Sequence, residues 1–188
     1  EHASIGSFAR FTLELLHLGA PASLIAAAQR AALDEIEHAR IAYALASAHA
    51  GRPLGPGPLS LDGLTLSTDR RAILRALIDE GCVGETLAVA EALELAARVH
   101  DPQLRATHLR IAEDEERHAA LAWRTLAWMR ASDDDPAFIA RCFDEASAAA
   151  SLDPAPRALT APEHGLLAAT DLGLLRRRAL REVVLPCA

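Results

Sequence analysis

The sequence predicts an all-α protein: two long helical hairpins joined by one long crossover, then a C-terminal helical extension. Three observations lead there. Half of the 188 residues are apolar, Ala and Leu dominate them, and aromatics make up only 4%. The sequence contains no long alternating, β-branched segment from which a sheet could be built. Gly and Pro, which interrupt regular structure, gather at a few points, seven of them between positions 51 and 63.

Taken in order, residues 1–18 read as a first helix with Ile5, Phe8, Thr12 and Leu15 on one face. Gly19-Ala20-Pro21 stops it, and a second helix, with Ser23 as a candidate cap, runs to Ala50 and is closed by Gly51. The Gly- and Pro-rich stretch 51–68 is long enough, at about 3.3 Å per extended residue, to travel the whole length of a helical bundle. A third helix starts at Thr68-Asp69 and runs to His100, with Ile78, Cys82, Glu85, Val89, Ala92 and Ala96 on its apolar face. Glu80, Glu91, Glu94 and Arg98 fall on a face that reads as solvent. Asp101-Pro102 is the next turn, with Pro at the first helical position of a fourth helix ending near Ala131. Residues 1–131 then form one four-helix domain and 132–188 an extension packed on its outside. The extension holds a helix over 136–150, an irregular Pro154–Pro162 segment and a last helix from about 163 to 184, begun by Thr160-Ala-Pro-Glu163. Arg176, Arg177, Arg178 and Arg181 read as a solvated face.

Composition excludes several function classes. The net charge is −7, so no nucleic-acid surface is expected. Every basic side chain is Arg, which reads as the mark of a GC-rich genome. Cys82, Cys142 and Cys187 are scattered, with no CxxC. That gives neither a disulfide framework nor a rubredoxin-type iron site, and Cys82 reads as a buried thiol. No run is apolar and long enough to span a bilayer. The chain begins at Glu1 without Met. The natural protein is expected to continue upstream, with a cytoplasmic location.

The chemistry sits in one repeated hexapeptide. Asp34-Glu35-Ile36-Glu37-His38-Ala39 and Asp114-Glu115-Glu116-Arg117-His118-Ala119 both read D-E-x-x-H-A. Glu and His three apart on a helix share one face, about a turn from each other, and together can hold one metal ion. The bland reading, two hydrogen-bonded Glu–His pairs on surface helices, is disfavoured by the flanking residues. Ala31, Ala42 and Leu45 continue one face and Ile111, Ala122 and Thr125 the other. Faces of that composition are buried, and a bare buried carboxylate is costly. A third E-x-x-H, Glu14 and His17, falls at the turn end of its hairpin, too far along the axis to join the others.

Two ions need more ligands than two Glu–His pairs supply. In an antiparallel hairpin, positions at one level lie equally far from the turn centre. In the first hairpin that puts Glu1 beside His38; in the second, with its centre near 101.5, it puts Glu85 at the level of His118. Glu80 is the rival to Glu85. The candidate set is Glu1, Glu35, His38, Glu85, Glu115 and His118. Four carboxylates and two neutral imidazoles balance two divalent cations. A mixed O/N donor set without thiolate suits iron or manganese better than structural zinc, although zinc can occupy it by affinity alone. Asp114 and Asp34 are candidates to orient His38 and His118 respectively, with Arg117 and His2 in support. His108 reads as a polar core histidine, and Tyr43 as turned away from the ligand face.

Glu in the first helix, E-x-x-H in the second, Glu in the third and E-x-x-H in the fourth resembles the ferritin-like di-iron carboxylate proteins. These include ferritins, rubrerythrins, ribonucleotide reductase small subunits, acyl-carrier desaturases and bacterial hydroxylases. The resemblance covers residues 1–131. The D-E-x-R-H form at 114–118 is similar to that of the oxygen-activating branches. Glu1-His2-Ala3-Ser4 and Glu80-Gly81-Cys82-Val83-Gly84-Glu85-Thr86 look like stretches of ferritin-like proteins of unassigned function from GC-rich bacteria. The resemblance implies a ferritin-like four-helix bundle whose six ligands hold two Fe ions, with Mn, mixed Mn/Fe or substitute Zn as variants. It implies an enzyme that uses O₂ or peroxide to oxidise or hydroxylate a small organic substrate, with electrons from an unidentified donor and with room for a homodimer. The alternatives are a ferroxidase or peroxide scavenger, and a non-catalytic bundle stabilised by its metal. The absent rubredoxin-type cysteines depart from a complete rubrerythrin.

Overall fold

The computed structural model describes residues 1–62, 64–132, 135–152 and 167–188. Among these the regular structure is helical throughout, with no strand. The chain divides into two compact units, Glu1–Ile73 and Leu74–Ala188.

The first unit is a helical hairpin with a strap. Helix α1 (His2–His17) ends where Gly19 takes up φ 71°, and the Ala20 N–H bonds back to the Leu15 carbonyl at 2.9 Å. Glycine closes helices this way because it meets no Cβ penalty in the left-handed region. Helix α2 (Ala22–Ala50) follows Pro21 directly, so Ser23 lies inside its first turn and is not the cap. Phe8, Thr12 and Leu15 of α1 are buried, as are Leu24, Ala28, Ala31 and Ala39 of α2. Ala42 is exposed and Leu45 only half-buried, against expectation. The reason is length: α1 begins level with about residue 39, so α2 beyond that point has no partner in the hairpin.

The crossover lies against α1 for most of that helix. Ser47 Oγ accepts the Leu54 N–H at 2.8 Å. The Leu59 side chain lies beside Gly6, so close that a Cβ on Gly6 would be 3.2 Å away. Further on, the Ser67 N–H reaches the buried Glu14 Oε1 at 3.5 Å, and His17 Nε2 faces the Thr68 carbonyl at 3.3 Å. Glu14 and His17 thus lie at the turn end of α1, as the hairpin spacing requires.

The second unit is built on an antiparallel pair. Asp69, still in the first unit, accepts the Arg71 N–H at 3.0 Å and starts helix α3 (Arg70–Ala76), which carries the chain into the second. The helix continues without a break as a π-helical stretch, Leu77–Glu85, and then as α4 (Thr86–Arg98). A single regular helix was expected here. The π turn, whose hydrogen bonds reach five residues instead of four, widens the helix and shifts its buried face. Burial accordingly falls on Ile78, on the neighbours Cys82 and Val83, on Thr86 and Leu87, then on Ala92 and Ala96. Asp101 Oδ1 caps α5 (Pro102–Ser132) by accepting the Gln103 N–H at 2.7 Å. Helix α6 (Pro136–Ala150) is capped by Asp135 and packs on the π-helical stretch. Trp123 of α5 stacks on Phe143 of α6 with ring centroids 5.4 Å apart.

Helix α7 (Ala169–Ala179) continues through a second π-helical turn, Leu180–Val184, into α8 (Leu185–Cys187). The expected start at Thr160–Glu163 lies outside the described residues. Leu167 and Ala168 are not helical, so the helix here opens at Ala169, later than the spacing suggested. The face carrying Glu91, Glu94 and Arg98 is not left to solvent. Helix α7 covers it, with Arg176 Nε on Glu91 Oε1 and Arg98 Nη1 on Asp171 Oδ2, each at 2.7 Å. Arg178 and Arg181 remain exposed and pair with Glu182.

Candidate metal centre

Each unit carries one Glu–Glu–His triad. In the first, Glu35 and His38 project from the same face of α2 and are each 2% exposed. His38 Nδ1 lies 3.4 Å from Glu35 Oε1. Glu1 sits at the mouth of α1, where its carbonyl accepts the Ser4 N–H at 3.1 Å. One ligand atom each from Glu1, Glu35 and His38 falls within 4.8 Å of the others. Glu1 is exposed while its two partners are buried, so this triad opens on the side of α1's first turn.

In the second unit, Glu115 and His118 repeat the arrangement on α5, with His118 Nδ1 3.2 Å from Glu115 Oε2. Glu85, the last residue of the π-helical stretch, reaches across so that its Oε2 is 3.8 Å from His118 Nδ1. These three groups also offer ligand atoms within 4.8 Å of one another. Glu80, five residues earlier in the same stretch, is exposed. The triad is electrostatically strained without a cation. The Glu85 carboxyl is raised from 4.5 to about 8, chiefly by burial, with His118 partly offsetting the rise and Glu115 adding to it. For His118, burial opposes the charge, but hydrogen bonds to Glu115 and Glu85 outweigh it and lift the imidazolium to about 10. A buried acid that resists ionising, beside an imidazole that keeps its proton, is a site holding protons where a cation would sit.

The supporting residues divide similarly. Arg117 pairs with the buried Asp114 one turn back and donates to the Glu113 carbonyl at 3.1 Å. The half-buried His2 meets Tyr43 edge-on with ring centroids 6.4 Å apart. His108 is half-buried, and burial lowers its pKa. Two features escaped the sequence reading. Thr86, next to Glu85, donates to the Cys82 carbonyl at 2.7 Å and receives the Trp123 indole N–H at 3.4 Å, tying the end of the π-helical stretch to α5. A groove of about 470 Å³ lies in the first unit, lined by His2, Ile5, Ile36, Ala39 and Tyr43 among others. His2, Ile36 and Ala39 are each the sequence neighbour of a triad member, but no periodicity marks a groove between helices and a strap.

The donor set fits a hard or borderline divalent cation: carboxylate oxygens and imidazole nitrogens, largely buried, with no thiolate in either triad. Cys82 is fully buried, and burial pushes its thiol up to about 12, so it stays protonated. No protein-family model, curated protein or solved structure matches the chain. Among the described residues no helix is long and apolar enough to cross a membrane.

Proposed function

We propose that the two triads are halves of one dinuclear iron centre, and that the protein is an O₂- or peroxide-dependent oxidase or hydroxylase of a small organic substrate. The observation that carries this reading is the repeat itself. The same hexapeptide supplies Glu and His to each unit, and a further carboxylate from the neighbouring helix completes each triad. The reading requires the two hairpins to pair as they do in ferritin-like four-helix bundles, where ligands from facing helices share one centre. Four carboxylates and two neutral imidazoles then neutralise two divalent ions. Two iron ions held by these six groups would supply the redox chemistry that activates O₂ or peroxide; hydroxylation with O₂ would consume two electrons from a donor outside the chain and two protons, one oxygen atom entering a C–H bond and the other leaving as water.

The chain's own groups have defined tasks. Glu85 and His118 give up their protons on metal loading and take them back when metal leaves. Arg117 holds Asp114 in place beside the ligand Glu115. Asp114 and Asp34 orient the imidazoles across the helix pairs. The groove beside His2 and Tyr43 supports an organic substrate over iron storage, because its walls are mostly apolar and it has the volume of a small-molecule site. The test is anaerobic Fe(II) titration followed by O₂ and optical spectroscopy. About two irons per chain, with a transient visible band on adding O₂, are expected. Oxidation of many irons per chain would establish iron handling instead, and no iron binding would end both readings.

A further inference from the structure

We infer that Gly81 is a positioning residue: its missing side chain lets the π-helical stretch approach α5 closely enough for Glu85 to share a ligand space with Glu115 and His118. This rests on reading that triad as a metal half-site.

A Cβ added at Gly81 would lie 2.7 Å from the Cβ of Ala122 and 3.9 Å from its Cα. Non-bonded carbons are comfortable at about 3.5–4.0 Å. Ala122 is 3% exposed and has no rotamer with which to move away. A methyl at Gly81 therefore forces the two helices apart by about an ångström.

That displacement falls on the metal triad. Gly81 is one turn before Glu85, and Ala122 one turn after His118. Within each of the pairs Gly81–Ala122 and Glu85–His118 the two members lie equally far from the turn at Asp101, and the pairs are one turn apart, so they are adjacent layers of one interface. Glu115 and His118 share a helix, and their 3.2 Å separation is indifferent to helix spacing. The Glu85–His118 leg crosses between helices and is already 3.8 Å long. It is the leg that opens. Gly84 supplies the contrast: a Cβ there meets nothing nearer than the Asp79 carbonyl oxygen at 3.4 Å. Ala is the better helix former at either position, so an effect of local propensity would treat both glycines alike.

The experiment is Co(II) titration of the full chain, read by d–d absorption and by stoichiometry, for wild type, Gly81→Ala, Gly84→Ala and the compensating pair Gly81→Ala/Ala122→Gly. Wild type is expected to bind two Co(II). Gly81→Ala should weaken one of them by about 10–100-fold, the usual cost of disturbing what orients a ligand. Gly84→Ala and the compensating pair should stay close to wild type. The inference is overturned if Gly81→Ala binds like wild type, or if Gly84→Ala loses as much. If Gly81→Ala does not fold, the compensating pair decides alone. Restored folding with two Co(II) supports the inference; a pair that is unfolded, or folded without the second ion, overturns it. A wild type that binds no Co(II) sinks the metal reading itself, and the inference with it.

Discussion

The metal-free protein should lose stability as pH rises from 6.5 to 8, opposite to a protein held by ordinary surface carboxylates. Glu85 titrates at about 8 in the folded chain and at 4.5 ordinarily, while His118 titrates at about 10 against 6.5. Both folded values are raised, so the stability they bring is complete below the unfolded values and is lost as pH climbs through the folded ones. Between pH 6.5 and 8 the folded chain carries one to two protons more than the unfolded chain. Each such proton tilts stability by about 1.4 kcal/mol per pH unit. Across that window the loss is about 3 kcal/mol, a large part of the 5–15 kcal/mol that holds a typical domain. His108, lowered by burial, acts in the other direction, but only below its ordinary value of 6.5. The assay is urea unfolding of chelator-treated protein at pH 6.5, 7.2 and 8. At an m-value of 1–3 kcal/mol per molar, the midpoint should fall by about 1–3 M. Glu85→Gln removes one titrating group and should flatten the slope by about one proton. A midpoint that holds or rises with pH, or a Glu85→Gln slope equal to wild type, would refute the electrostatic account of the triad.

The remaining expectations are simpler to check. Glu35→Gln and Glu115→Gln should each reduce bound iron measured by elemental analysis, by about tenfold or more in affinity, while far-ultraviolet circular dichroism stays helical. Glu14→Ala should cost about 1–3 kcal/mol in urea unfolding, because it strips the Ser67 N–H of a buried acceptor, and should leave metal stoichiometry unchanged. Arg176→Ala should cost less than about 1 kcal/mol, since its pairing with Glu91 is partly exposed. Of the three thiols, a disulfide reagent should titrate one rapidly in the native protein: Cys187 is exposed, whereas Cys82 and Cys142 are buried with raised pKa values.

Much of the layout was legible because it depends on spacing. Glycine and proline marked the turns at Gly19 and Gly51, and hairpin arithmetic alone put Glu85 at the level of His118. What spacing cannot carry is departure from a regular helix. The π-helical stretch over Leu77–Glu85 left no clear mark in the apolar pattern, because buried Cys82 and Val83 fit a helix period nearly as well. The helix-terminal overhang that exposes Ala42 depends on how long the partner helix is, not on Ala42 itself. The Glu91–Glu94–Arg98 face looked solvated because its covering, α7, is charged where it touches. Pairing of opposite charges across an interface leaves the same residue pattern as water would.

One measurement bears most directly on the central claim: X-ray absorption of the chain loaded anaerobically with two Fe(II). A metal–metal vector at roughly 3.5–4 Å, with a nitrogen and oxygen shell and no sulfur, is expected if both triads serve one centre. Two isolated ions with no such vector, or a sulfur shell, would contradict it.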